Sequence, residues 1–268
     1  MIRRPISQRL GIILQVVSVL LIIGIYSFLS WRQHVINPID KTIPTLHQFV
    51  DGWKTLCSPD SSKRYWLIDD FSRSGQRFGL GMLAGVSAAF LIGILMGVYP
   101  IIEAFCRWPV RIMGSVPPTA MLAIYFVVFG IELKMYIAMI AFGIFPGLAM
   151  SIYRAVITDV SEHAISKAYT LGSDSLEVIT SVVLQQILPR IIEFVRIAVG
   201  PALIFLIAAE WANADVGFGY RLKLQSRLQN MNVVYTYLAI LAITTSLIDY
   251  YLLILRKRLC GWFEKETL

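Results

Sequence analysis

Charge is what this chain has least of. Asp, Glu, Lys and Arg make up 15% of its 268 residues, hydrophobic residues 57%, and the mean hydropathy is +0.67. Soluble domains carry about 25% charged residues, so the composition excludes an ordinary water-soluble domain and leaves an integral membrane protein. Cysteine is scarce too. Cys57, Cys106 and Cys260 lie far apart with no CxxC among them, which excludes a disulfide framework or thiolate zinc site and leaves buried or idle thiols. His34, His47 and His163 are isolated, with no HExxH. No GxxxxGK[ST] occurs, so the chain does not itself hold the phosphates of ATP. GxSxG is absent as well. Neither a cofactor nor a metal is expected, and the chain does not read as an enzyme.

What it has in excess is base, with a formal net charge of +7. Those bases sit beside apolar runs (Arg3, Arg4 and Arg9; Arg256, Lys257 and Arg258). There they act as topology anchors. They do not form the basic stripe that a nucleic-acid partner needs.

The apolar runs predict an all-α membrane bundle of about six spans with short connections. The first, from Leu10 to about Leu29, is too long for the apolar core of a signal peptide and precedes no small-x-small site. It reads as an uncleaved helix. Trp31–Asp70 reads as a polar outer segment, with Phe49, Trp53, Tyr65 and Trp66 at headgroup level and Asp69-Asp70 as a solvated pair. The second span, Gln76–Tyr99, holds Gly81-x-x-x-Gly85 and Gly93-x-x-x-Gly97, the small-xxx-small spacing of close helix contacts. The third runs to about Gly130 and opens on Ser115, Val116, Pro117, Pro118 and Thr119. Two prolines remove backbone donors, and irregular backbone at membrane depth must be covered by protein or line water. Ser115, Pro117, Pro118 and Thr119 are therefore pore candidates, against the simpler reading of a kinked helix start. Further spans follow at Met135–Tyr153, Ile191–Glu210 and Val233–Leu255. Asp249 and Glu210 fall near span ends, where a solvated or helix-capping acid is the plainer reading. Among short loops, only Lys134, Arg221, Lys223 and Arg227 fall opposite the other bases. That bias places both termini in the cytoplasm.

Ser161–Arg190 interrupts this pattern with about 30 polar, helix-forming residues, long for a loop. A helix over Glu162–Tyr169 runs into Leu171-Gly172, and Gly172 can adopt positive φ to close it. Asp174 with Glu177 gives the capping-box spacing for a second helix. That helix carries Leu176, Ile179, Val183 and Leu184 on one face and is expected to stop at Leu188-Pro189. The object predicted is helix, corner, helix, projecting on the inner side for something to grip.

These residues resemble the membrane subunit of type I ABC importers, the binding-protein-dependent permeases. That family's cytoplasmic EAA loop starts with acid-Ala-Ala, has Gly three or four residues on, and ends in Leu-Pro. Ala168, Leu171, Gly172, Leu188 and Pro189 fit it. Ser166 and Lys167 depart from it where the acid and first alanine would stand, and so do Gln185 and Phe194. Ser74 with Arg77, Glu210 and Gly217–Gly219 also resemble the family pattern, over about Phe71–Trp262. The order Asp249, Arg258, Trp262 is similar to the nitrate, sulfonate, taurine and bicarbonate subgroup. The resemblance implies an N-terminal helix and outer segment over 1–70, a permease core over 71–262 and an inner tail over 263–268. It implies two permease copies, a homodimer, forming a pore in a bacterial inner membrane. Each elbow, with Ser166, Lys167, Ala168, Leu171, Gly172, Leu188 and Pro189, would seat in a cytoplasmic ATPase subunit. A periplasmic or lipid-anchored solute-binding protein would deliver a small solute, with a nitrate-, sulfonate- or taurine-like anion the best guess. The rival readings are an ion-gradient-driven carrier and an integral membrane enzyme.

Overall fold

The computed structural model describes residues 7–37, 40–58 and 65–262. They are helical with short connections, and no strand occurs among them. The helices are α1 (Gln8–Ile36), α2 (Leu46–Cys57), α3 (Trp66–Val98), α4 (Pro100–Ser115), α5 (Leu122–Phe129), α6 (Leu133–Asp159), α7 (Glu162–Thr170), α8 (Ser175–Val178), α9 (Leu184–Asn213), α10 (Phe218–Arg227) and α11 (Met231–Leu259). Residues 1–6 and 263–268, and with them Arg3, Arg4 and the proposed inner tail, lie outside the described residues.

Five helical stretches are long and apolar enough to cross a bilayer: Arg9–Ile36, Trp66–Val98, Leu133–Asp159, Ser175–Asn213 and Met231–Leu259. Among the described residues one further pair of helices passes the same test only when taken together, as a broken span or a re-entrant loop. Pro100–Ser115 and Pro118–Phe129 meet at 85°, so the irregular opening expected at Ser115–Thr119 is a sharp break with helix on both sides of it. Val116 and Pro117 are extended between them, with ψ of 122° and 121°. Proline biases its predecessor away from the helical region, and two in succession end α4 there.

The chain divides into two compact units. One comprises the residues up to Trp66 together with Leu224–Leu238. Here Thr45 and Gln48 form the capping box of α2. The Tyr26 hydroxyl donates to the Pro44 carbonyl at 2.7 Å and Ser30 to that of Ile43 at 3.1 Å. Tyr26, Phe49 and Tyr235 pack edge to face or tilted, with centroids 6.0–6.4 Å apart. A Cβ on Gly52 would lie 2.7 Å from the Asn232 carbonyl oxygen. Much of what reads as a polar outer segment is therefore helix.

The other unit spans Leu67–Lys223 and the chain from Ala239 onward. Its centre is α6 with α9. Met135, Met139, Ile140 and Ile152 of α6 and Ile187, Ala202, Leu206 and Ala209 of α9 are buried. The glycine stripe of α3 faces α6: Cβ atoms on Gly81, Gly85, Gly93 and Gly97 would meet Ile140, Ile144, Ala149 or Ile152, and Val156 at 2.5–2.8 Å. The small-xxx-small spacing thus serves a contact within the chain, bringing α3 against β-branched side chains of α6.

Candidate functional site

The corner between α7 and α8 is built from neighbours in sequence. The Ser161 hydroxyl caps α7, accepting from the Ala164 amide. At the other end Gly172 has φ +93°. Its amide donates to the Tyr169 carbonyl at 3.0 Å, and the Ser173 amide donates to the Ala168 carbonyl at 3.1 Å. This is the 6→1 and 5→2 pair of a Schellman end. Asp174 then caps α8, accepting from the Glu177 amide at 2.7 Å. Tyr169 spans the corner, its hydroxyl 3.3 Å from Ser175 Oγ.

The second helix does not stop at Leu188-Pro189. After α8, Ile179–Val183 forms a π turn closed by the Leu184 amide on the Ile179 carbonyl, and α9 runs on through Pro189 and Pro201. π turns recur at functional sites. The wider turn feeds the elbow into the fifth span with no intervening loop. Its apolar face is also divided. Val183 and Ile187 are buried in the core with Ile179 and Leu184 against them, whereas Leu171 and Leu176 stand 77% and 69% exposed. Of the other positions expected to couple, Ser166 and Lys167 are exposed, Ala168 and Pro189 buried and Leu188 half-buried. Asp159 and Arg190 form an ion pair at 3.3 Å.

Ser115, Pro117 and Thr119 are exposed and Pro118 half-buried at the 85° break. Ser115 Oγ donates to the Arg111 carbonyl at 3.1 Å.

The connection at the other end of α9 joins Ser74, Arg77, Glu210 and Gly217–Gly219, residues the family pattern pointed to, in a setting the sequence did not announce. Asp70 and Glu210 are each 0% exposed; neither is the solvated or helix-capping acid expected. Glu210 accepts from Ser74 Oγ at 2.7 Å, Arg77 Nη1 at 2.8 Å and the Gly219 amide at 2.9 Å. Asp70 accepts from the Gly217 amide at 2.9 Å and Arg221 Nε at 2.9 Å. The Phe218 amide donates to Ser74 Oγ at 2.9 Å. Arg77 also donates to the Val216 carbonyl at 2.7 Å, and its guanidinium lies 4.0 Å from the centroid of the Tyr136 ring. Two amides, one hydroxyl and two guanidiniums thus converge on two carboxylates. Charge-assisted bonds satisfying both partners make such a site tenable at low dielectric. Gly217, at φ +132°, passes so close that a Cβ would lie 2.5 Å from Glu210 Oε1.

A second ionic group ties α9 to α11. Asp249 accepts from Arg196 Nε at 2.8 Å and Nη2 at 3.1 Å, and Glu193 bridges Arg196 at 2.8 Å and Arg256 at 2.7 Å. Acid–base pairs inside spans, unforeseen in the hydropathy, are therefore present. Arg258 is exposed, and Arg256 takes the place in the network.

Residues 81–260 match the family described as the binding-protein-dependent transport system inner membrane component. The chain belongs to that family. It is 27% identical to the taurine transport system permease protein TauC of Escherichia coli (strain K12), over 97% of this chain and 92% of TauC. It is 26% identical to SsuC of Bacillus subtilis (strain 168), a protein named as an aliphatic sulfonates transport permease, over 69% of this chain and 67% of SsuC. Its fold is similar to a chain of the inward-facing methionine ABC transporter MetNI, with TM-score 0.62, 18% identity, and coverage of 75% of this chain and 99% of that one. The chain is a multi-pass permease of the ABC importer type, as the residues of the elbow and the span pattern led one to expect.

Proposed function

We propose that this permease is one half of a transport passage, worked by a separate ATPase through the Ser161–Arg190 elbow. Two copies form the passage. Both termini and the elbow face the cytoplasm, where each elbow seats in the surface groove of one ATPase subunit, and a solute-binding protein docks at the opposite face. The cargo is a small organic anion of the taurine or sulfonate kind, in keeping with what TauC and SsuC are named for. We take the N-terminal helix and outer segment over 1–70 as distinct from a permease core over 71–262.

One observation carries the reading: Leu171 and Leu176, flanking a rigid Schellman corner, remain 77% and 69% exposed on a polar protrusion. Aliphatic side chains at a fixed corner are anchors for an apolar slot. Their supports, Val183 and Ile187, are buried in the core at the start of α9. A push on the corner therefore passes directly into a pore helix, which is the rigid coupling that a rocking two-state passage needs.

Gly172→Val tests it. A β-branched residue at φ +93° is strained by about 1–3 kcal/mol, and nothing lies within 4 Å of the position to clash. The variant should insert and fold while ATP-driven uptake by the reconstituted complex drops at least tenfold. Normal uptake by this variant removes the elbow from the mechanism. A gradient-driven carrier is the second reading, favoured by the ionic pairs within spans. Both pairs, however, rest on arginine, which does not release its proton in proteins. Uptake by the permease alone in vesicles with an imposed proton or sodium gradient would decide for the carrier.

A further inference from the structure

Between α4 and α6 lies a groove of about 460 Å³ that the elbow and the buried carboxylates do not explain. On α4 its lining falls at Arg107, Arg111 and Ser115, spaced i, i+4, i+8, one stripe of a helix. On α6 it runs from Pro146-Gly147 through Tyr153-Arg154 to Thr158, about 18 Å of helix at 1.5 Å per residue. One end lies at the broken third span, where a Cβ on Gly114 would be 3.3 Å from Pro146. The other end is where α6 hands over to the elbow, three residues before Ser161. The groove therefore follows the length from the pore break to the inner surface.

Its charge is unbalanced. Glu103 bonds Arg107 at 3.1 Å and accepts from the Tyr153 hydroxyl, so it is spent within the wall. Asp159 is paired with Arg190. Arg111 lies 5.9 Å from the centroid of the Trp108 ring. Among the described residues neither Arg111 nor Arg154 has an ion-pair partner, and both are exposed along the groove. Two open guanidiniums, with the Ser115 and Thr158 hydroxyls and apolar walls, suit a small organic anion whose head carries several oxygens. Arginine is the side chain whose fork fits such heads, and the volume is that of a small-ligand site.

We propose that this groove is a binding station for the transported anion on its way inward, with Arg111 and Arg154 gripping an organosulfonate head. The proposal rests on the permease reading above. An anionic phospholipid headgroup offers the same chemistry from another source.

The test uses the full-length chain in nanodiscs of phosphatidylcholine alone, with ethanesulfonate as probe and propylammonium as the cationic control, followed by calorimetry. Saturable ethanesulfonate binding is expected, at least tenfold weaker in R111Q/R154Q, partly recovered in R111K/R154K, and absent for propylammonium. Recovery in the lysine pair separates lost charge from lost fold. Binding unchanged in R111Q/R154Q overturns the proposal. So does the lack of ethanesulfonate binding together with phosphatidylglycerol that copurifies with wild type and is lost from R111Q/R154Q in native mass spectrometry, which gives the groove to lipid. ATP-driven uptake by the wild-type complex keeps the two readings separable. If uptake proceeds but binding ignores both arginines, the groove alone fails; if the complex shows no ATP-driven uptake, the permease reading fails with it.

Discussion

Two glycines with positive φ turn this chain at its two chief connections, and they do so in opposite surroundings. Gly172, at φ +93°, has nothing within 4 Å of a would-be Cβ; Gly217, at φ +132°, would push one to 2.5 Å from the Glu210 carboxylate. Around Gly172 the bonds join residues three to six apart, and the apolar side chains Leu171 and Leu176 face outward. Around Gly217 the bonds reach from 9 to 151 residues along the chain and the charged groups face inward. A corner of the first kind is autonomous and keeps its grip for a partner. The second is a clasp, with no form apart from the helices it fastens: α3, α9 and α10.

The largest effect that sharpens this contrast should come from Glu210→Ala. It strands the Arg77 guanidinium, Ser74 and the Gly219 amide in a fully buried place. Removing one partner of a buried ion pair costs about 3–5 kcal/mol. In detergent the purified permease should lose most of its margin of stability, seen as a large fall in the midpoint of thermal unfolding. Leu176→Ser, at the exposed corner, should leave that midpoint within error, since surface changes lie within about 0.5 kcal/mol. Equal midpoints for the two variants would break the distinction between clasp and corner.

Next in size is alanine at each glycine. Gly172→Ala meets only backbone strain, about 1–3 kcal/mol. Gly217→Ala meets that strain and must also displace a buried carboxylate, so its loss should exceed the other by about 2 kcal/mol or more, within the range for disturbing a buried pair. Denaturant titration of both variants in the same micelles measures the difference. Similar losses would mean that the Gly217 loop yields as freely as the elbow.

The same contrast explains what could be read in advance. Schellman ends and N-caps are short-range signals, so Gly172 and Asp174 declared themselves in Ser161–Arg190. The apolar runs declared the spans. Proline was legible at one place and misleading at another. Pro117-Pro118 break the backbone as anticipated, but Pro189 sits inside α9, which the π turn at Ile179–Val183 joins to the elbow. The clasp was legible only in part: Ser74, Arg77, Glu210 and Gly217–Gly219 stand where the family pattern has them, but Asp70 and Arg221 are common residues until tertiary structure joins them. Taken singly, each acid near a span end does resemble a solvated one. The signal within reach was composition: four charged residues flanking apolar runs, beside a Gly-Phe-Gly whose amides need acceptors. The glycine stripe of α3 was legible as a contact, while which helix it touches was not.

A third carboxylate gives the smallest effect and the finest test. Asp40 lies outside the spans and accepts from Thr42 Oγ1 at 2.6 Å and Gln33 Nε2 at 2.6 Å. These bonds, Thr42 first, pull its carboxyl down to about 2. Its ordinary value is about 3.9. A depressed carboxyl contributes stability above the unfolded value and loses it as pH falls through the folded one, so the contribution is full above about pH 4 and fades toward pH 2. Asp40→Asn should therefore flatten the acid limb of the unfolding curve between those values, with a small fall in the midpoint at pH 7 that vanishes toward pH 2. The residue is only half-buried, and hydrogen bonds near water count for less than in the fully buried clasp. If Asp40→Asn instead lowered the midpoint at pH 7 as far as Glu210→Ala does, burial would not be what separates the clasp from a half-buried acid, and the contrast between the two connections would have to rest on backbone geometry alone.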